Sequence, residues 1–193
     1  MGRPKAFDEE QVLGKALGLF WQKGFFACSM QELVDTMGIN RFSLYNSFGS
    51  KEDLYHKSLQ LYRDRGREHM MQPLLKPDPS LPEIRAFFDL LAEVATTDED
   101  KKGCFICNSI LEMDLHDPQA RAICEGWLEE IGGLFRSAFK RAKETGELSQ
   151  DKDSDALADF LVGTVMGVWS MSRTSLPGQH VRGYIDTALS VLE

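Results

Sequence analysis

The chain has 193 residues, 42% of them hydrophobic, and a formal net charge of −8: enough for one well-buried domain or a small domain joined to a medium one, and too much for a peripheral peptide. The acidity is uneven, with ten basic against eight acidic residues up to Arg67 and twelve against twenty-two beyond it, so a polyanionic partner is excluded for the second part but not for the first. No apolar run reaches the length of a membrane span or forms a signal segment, which makes the reducing cytoplasm the expected compartment and leaves Cys28, Cys104, Cys107 and Cys124 as thiols.

In chain order, Gly2-Arg3-Pro4-Lys5 is a short basic arm that Pro4 keeps extended. Arg3 and Lys5 either reach DNA beside a main contact or merely solubilise the terminus. Asp8 opens a helix with Glu9 and Glu10 in its first turn and a buried stripe of Leu13, Ala16, Leu17 and Phe20, widened by Trp21. Gly24 stops it, and Phe25-Phe26 then cover the core of a three-helix unit.

Ser29 and Glu32 have capping-box spacing, so a second helix starts at Met30 and carries Leu33, Val34 and Met37 on its inner side. Gly38 supplies a left-handed stop, Ile39 is expected to be buried in the turn, and Asn40 caps a short third helix. In that helix Leu44 and Phe48, four apart, turn inward; Arg41, Phe42, Ser43, Tyr45, Asn46 and Ser47 are left outside. Those outward residue types suit the major groove of DNA. Arg forks onto guanine, Asn pairs with adenine edges, and hydroxyls reach phosphates. We expect Arg41, Ser43, Asn46 and Ser47 to read bases, and Asn40, Tyr45 and Lys51 to hold phosphates, with Ser29 and Phe42 on the same face. Lys51 stands at the start of a following helix, after Gly49-Ser50, where helix N–H groups also favour phosphate.

At this point the sequence resembles the TetR/AcrR family of bacterial transcriptional regulators. The carrying residues are Gly24-Phe25, Met37-Gly38-Ile39-Asn40, Ser43-Leu44-Tyr45 and Phe48-Gly49-Ser50-Lys51-Glu52. They cover about the first quarter of the chain and are specific as an ordered set. Phe42 departs from the small residues or proline common at its position in that family.

From Leu54 a helix continues to about Met70, a rigid rod leaving the first unit. Pro73, Pro77, Pro79 and Pro82 mark a loop. Helices are then expected over Leu81–Val94, Gly103–Leu115, Pro118–Glu144, Ala156–Ser172 and a short stretch around Tyr184, with Asp117-Pro118 as a start and Gly146 as a stop. No strand-like alternation occurs, so the expected fold is all-α: a helix-turn-helix DNA-binding domain, 1–53, and a larger helical ligand-binding and dimerisation domain, 54–193.

Two long helices near the C-terminus, one rich in aromatic residues and one with Gly163 and Gly167 four apart, either pair across a two-fold axis or pack only within their own chain. The resemblance implies the first, a homodimer on a double-stranded DNA operator, and dimeric reading of two half-sites favours it. The resemblance also implies a repressor with a small-molecule effector pocket among the middle helices. Candidate lining residues are Phe87, Phe88, Leu91, Cys104, Cys107, Asn108, Met113, Trp127, Met166 and Trp169, apolar and aromatic apart from Asn108, which with Glu112 would orient a ligand. Plain core packing is the alternative for each apolar residue, and an exposed face is the alternative for Asn108 and Glu112.

Cys104 and Cys107 sit three apart near a helix N-terminus, which lowers a thiol's pKa; a thiol sensor acting through Cys104 stands beside the reading of both as small buried residues. Cys104, Cys107, His116 and Cys124 do not have the spacing of a compact zinc finger. His56, His69, His116 and His180 are scattered, and no nucleophile elbow or phosphate loop appears, so we expect neither catalysis nor a cofactor. The remaining alternative is a helical ligand- or partner-binding protein that no longer reads DNA.

Overall fold

The computed structural model describes residues 7–97, 101–112 and 117–193. Among these the chain is all-α: α1 Glu9–Lys23, α2 Met30–Met37, α3 Arg41–Phe48, α4 Lys51–His69, α5 Leu81–Thr97, α6 Phe105–Glu112, α7 Pro118–Thr145, α8 Ser154–Ser172 and α9 Gly178–Leu189, closed by a 3-10 turn at Ser190–Leu192. No described helix is long and apolar enough to cross a membrane.

The helix ends follow from local chemistry. Asp8 Oδ1 accepts from the N–H of Glu10 at 2.9 Å and of Gln11 at 3.2 Å, which starts α1. Gly24, at φ 84°, ends it in a conformation costly for any side chain. The Ser29–Glu32 capping box forms as expected, and Gly38 ends α2 at φ 71°. Asp117 Oδ1 accepts from Ala120 N–H at 2.9 Å and Pro118 takes the first turn of α7, where no N–H is needed. Two expectations shift by a residue or two: α8 starts at Ser154, ahead of the expected Ala156, with Asp153 as its cap, and Val12 is buried in α1 where Leu13 is only partly so. Ile39 is half-buried, not buried. Pro82 sits inside α5, in the first turn, which is compatible with its missing donor. The expected stretch Gly103–Leu115 is helical from Phe105 to Glu112, and its last three residues lie outside the described ones.

α1, α2 and α3 enclose a small core of Phe20, Leu33, Met37, Leu44 and Phe48, and α4 completes it with Leu54 and Tyr55. The same α4 runs unbroken past residue 54 to His69 and packs against α7. A second core fills the space among α5, α7 and α8, where Phe88 and Phe135 stack with centroids 5.9 Å apart and planes 9° apart. An aromatic seam joins the two cores: Phe20 meets Tyr55 edge-on at 5.1 Å, Tyr55 meets Phe105 at 5.6 Å, Phe105 meets Tyr62 at 5.8 Å and Tyr62 meets Trp21 at 5.1 Å. Such edge-to-face pairs each contribute about 0.5–1.5 kcal/mol beyond burial. The aromatic residues of α7, Trp127, Phe135 and Phe139, are all buried within this chain; on α8 and α9, Phe160 and Tyr184 remain exposed.

Candidate nucleic-acid interface and internal cavity

α3 is held by both ends and by its inner face. Asn40 Oδ1 accepts from Ser43 N–H at 2.8 Å, Lys57 Nζ donates to Phe48 O at 3.0 Å, and Leu44 and Phe48 are buried. Arg41, Phe42, Tyr45 and Asn46 are exposed, while Ser43 and Ser47 are half-buried at the flanks. The helix contains no acidic residue. The Arg41 guanidinium stands 5.9 Å from the centre of the Tyr45 ring, a cation–π contact, and among the described residues its fork is paired with no carboxylate.

The other expected contacts are spread along the rim. Ser50 and Asp53 form a second capping box: Asp53 N–H donates to Ser50 Oγ at 3.1 Å, while Ser50 N–H at 2.9 Å and Ser50 Oγ at 2.8 Å both donate to Asp53 Oδ2; the two bonds to Oδ2 hold the Asp53 carboxyl below its ordinary range. Lys51, next to that cap, carries its ammonium 4.4 Å over the Phe25 ring, which fixes the cation at the start of α4. Ser29 is committed locally: its hydroxyl donates to Glu32 Oε2 at 2.8 Å and accepts from Glu32 N–H at 3.2 Å. Asn40 likewise has its oxygen engaged and only its amide NH₂ left to donate. Arg3 and Lys5 lie outside the described residues.

The expected effector pocket is present in part. A narrow cavity of about 40 Å³ is lined by Phe87, Leu91, Cys104, Cys107, Trp127 and Trp169, together with Tyr62, Gly66 and Met70 that the sequence did not single out. Phe88 is not on its wall; it is stacked on Phe135 instead. Met166 is half-buried and also off the wall. Asn108 faces elsewhere, donating to Lys102 O at 2.8 Å, and Met113 lies outside the described residues. The volume is far below the roughly 300–1,000 Å³ of drug-sized ligand sites. Trp127 fills the difference: its Cη2 approaches Gly66 so closely that a Cβ there would lie 2.7 Å away.

Cys104 precedes α6 and Cys107 follows in its first turn, both buried. Burial pushes the Cys104 thiol up, but hydrogen bonds from the Cys107 and Tyr62 side chains and from the N–H groups of Cys107 and Ile106 outweigh it and bring the pKa down. The bond to Cys104, with burial, raises Cys107. Among the described residues no group of three His, Cys, Asp or Glu is arranged to hold a metal; His116 lies outside them.

The sequence missed how α6 is tied to the DNA-facing unit. Tyr55 Oη donates to Ser109 Oγ at 2.7 Å. Glu112, expected to orient a ligand with Asn108, instead accepts from the N–H groups of Phe25 and Phe26, at 3.1 Å each, with its two oxygens. Trp21 Nε1 donates to Gly103 O at 3.1 Å, and His56 Nε2 lies 2.7 Å from Asp117 Oδ2 at the start of α7. Burial pushes the Asp117 carboxyl up, but the bonds from Ala120 N–H and His56 hold it below its ordinary range. These partners are separated by 54 to 87 residues, and no local pattern announces them. Beside them, between α1, α6 and α8, lies an open cleft of about 570 Å³ that Asn108 and Glu112 do line.

This arrangement is a capped, acid-free helix presented by a three-helix unit and coupled through α4 and α6 to a body with a small apolar cavity. Two family descriptions match it: "Bacterial regulatory proteins, tetR family" over residues 12–57 and "Tetracyclin repressor-like, C-terminal domain" over residues 80–187, more than half of the chain. The uncharacterized HTH-type transcriptional regulator YezE of Bacillus subtilis is 31% identical over the whole of both chains. The HTH-type transcriptional repressor ComR of Escherichia coli is 35% identical over 86% of this chain and 80% of its own. Among solved structures, the TetR family transcriptional regulator CifR, a cysteine mutant complexed with 26-base-pair double-strand operator DNA, superposes with a TM-score of 0.88 at 26% identity, covering 99% of this chain and all of that one. The chain therefore belongs to the TetR family of bacterial transcriptional regulators, with an N-terminal helix-turn-helix unit and a helical C-terminal domain.

Proposed function

We propose that the protein is a homodimeric repressor that acts in the cytoplasm by binding, not by catalysis, and leaves a palindromic operator when a small apolar or aromatic effector enters its body. The observation that carries the reading is the outer face of α3, where Arg41, Phe42, Tyr45 and Asn46 stand exposed on a helix without a carboxylate. In this reading Arg41, Ser43, Asn46 and Ser47 meet bases, and Asn40, Tyr45 and Lys51 meet phosphates. The similarity to the repressor ComR and to CifR, whose structure holds operator DNA, supports it.

A working division at residues 1–53 and 54–193 assigns the DNA contact to the first part and regulation to the second, with α4 shared between them. A dimer would form through the long C-terminal helices; because the aromatic residues of α7 are used inside the chain, the available apolar surface is Phe160 on α8 and Tyr184 on α9. The effector would expand the cavity against Trp127 and press on Cys104 and Cys107 at the start of α6. α6 in turn holds Tyr55, Phe25 and Phe26. Moving α6 therefore shifts the DNA-facing unit, and the ligand favours a spacing of recognition helices that does not match the operator.

The test is a screen of small apolar and aromatic compounds read two ways, by the rise in unfolding temperature and by release of labelled operator. Compounds that stabilise the protein are expected to release DNA. A set of stabilising ligands, none of which changes operator affinity, would remove the effector part of the proposal, and a monomer in light scattering would remove the dimer.

A further inference from the structure

The outermost point of the recognition helix is a phenyl ring. At about 100° per residue, Phe42 and Asn46, four apart, form the ridge of α3 farthest from the inward pair Leu44 and Phe48. The Phe42 side chain is 76% exposed, against 3% for Phe48 and none for Leu44. It has no ring partner among the described aromatic side chains, and it stands in the first turn of the helix, the turn that meets base edges in helix-turn-helix complexes. A ring so placed can neither donate nor accept a conventional hydrogen bond. It is therefore blind to the donor and acceptor code of the groove, and the one apolar group that the major groove offers is the C5-methyl of thymine.

Resting on the reading of α3 as the base-reading helix, we propose that Phe42 is a specificity-determining residue that selects thymine through its C5-methyl group. The neighbouring ridge residue sets the position. Four helical residues rise about 6 Å, and stacked bases about 3.4 Å, so the selected thymine lies one or two base steps from the adenine that Asn46 pairs with. The half-site then contains an A/T pair of positions read together by a hydrogen-bonding amide and an apolar ring. Leu44 and Phe48 are the residues that hold the helix in place, so shortening Phe42 leaves the fold intact.

The experiment replaces each thymine of a duplex, selected from a random pool by the wild-type protein, with deoxyuridine, which keeps every hydrogen-bonding group and loses only the methyl. Affinities are measured for wild type, Phe42→Leu and Phe42→Ala. Wild type is expected to lose about fourfold per half-site at one thymine position, the ratio for one methyl-sized apolar contact. Phe42→Ala is expected to bind the thymine and deoxyuridine duplexes equally, and Phe42→Leu to keep part of the preference. If wild type tolerates deoxyuridine at every position, or if Phe42→Ala shows the same loss as wild type, the inference is overturned while operator binding itself stands. If wild type enriches no duplex from the pool, the reading of α3 beneath it falls as well.

Discussion

The phenol of Tyr55 on α4 donates to Ser109 Oγ on α6 at 2.7 Å, out of reach of water. Ser109 Oγ in turn donates to Phe105 O at 2.7 Å, so the bond is the first link of a short chain that fixes how the two helices sit. Burial raises the pKa of the phenol, and the bond stays a neutral one. Tyr55→Phe is expected to keep the ring in the aromatic seam and lose only this link, costing about 0.5–1.5 kcal/mol in urea unfolding with the slope unchanged. Its effector response should be weaker than that of wild type. An unchanged unfolding midpoint would mean that the hydroxyl contributes nothing.

Glu112 is the stronger tie, since its carboxylate takes two backbone N–H groups from the turn after α1. Glu112→Ala leaves two donors without their acceptor, and a loss of about 1–3 kcal/mol is expected. Glu112→Gln retains one oxygen and should lose less. Amide hydrogen exchange at Phe25 and Phe26 gives the local readout: both should exchange faster in the alanine variant, and unchanged rates would contradict the tie.

Glu32 makes the acid limb of stability predictable in sign. Hydrogen bonds from Lys23 and from Ser29 hold its carboxyl down to about 2, against an ordinary value of 4.5. The folded pKa is the lower one, so the contribution is complete above about pH 4.5 and is lost as the pH falls towards 2. Glu32→Gln should flatten the fall in stability over that interval. A variant with the same acid limb as wild type would show that the capping box at α2 does not contribute to it.

Arg41 and Lys51 separate two kinds of DNA contact. Arg41→Ala is expected to cost about 1–3 kcal/mol and to relax the sequence preference at one position, as loss of a fork onto guanine does. Lys51→Ala should weaken all sequences alike and make the logarithmic salt slope shallower by about one. Identical profiles for the two variants would contradict the division of roles.

Most of the fold could be read from local signals because helix ends are local chemistry. Asp8, Ser29, Asn40, Gly24, Gly38 and Asp117-Pro118 each act within four residues of themselves, and each appears where the sequence puts it. The outer face of α3 was legible for the same reason, from the inward pair Leu44 and Phe48. The cavity was half legible. Apolar and aromatic residues at helical spacing do not declare which side of a helix meets a void and which meets another ring, so Phe87 and Phe88 look alike in sequence while only Phe87 lines the cavity. The ties from Glu112 to Phe25 and from Tyr55 to Ser109 were not legible, because they join segments far apart in the chain through backbone groups and hydroxyls that carry no pattern.

The central claim is that α3 reads a two-fold symmetric operator, and selection of duplexes from a random pool tests it most directly. The wild-type protein should enrich a palindrome with half-site centres about 34–36 Å apart, or a multiple of that, and Arg41→Ala should enrich a less defined one. No enriched sequence, or the same sequence with wild type and Arg41→Ala alike, would contradict the account.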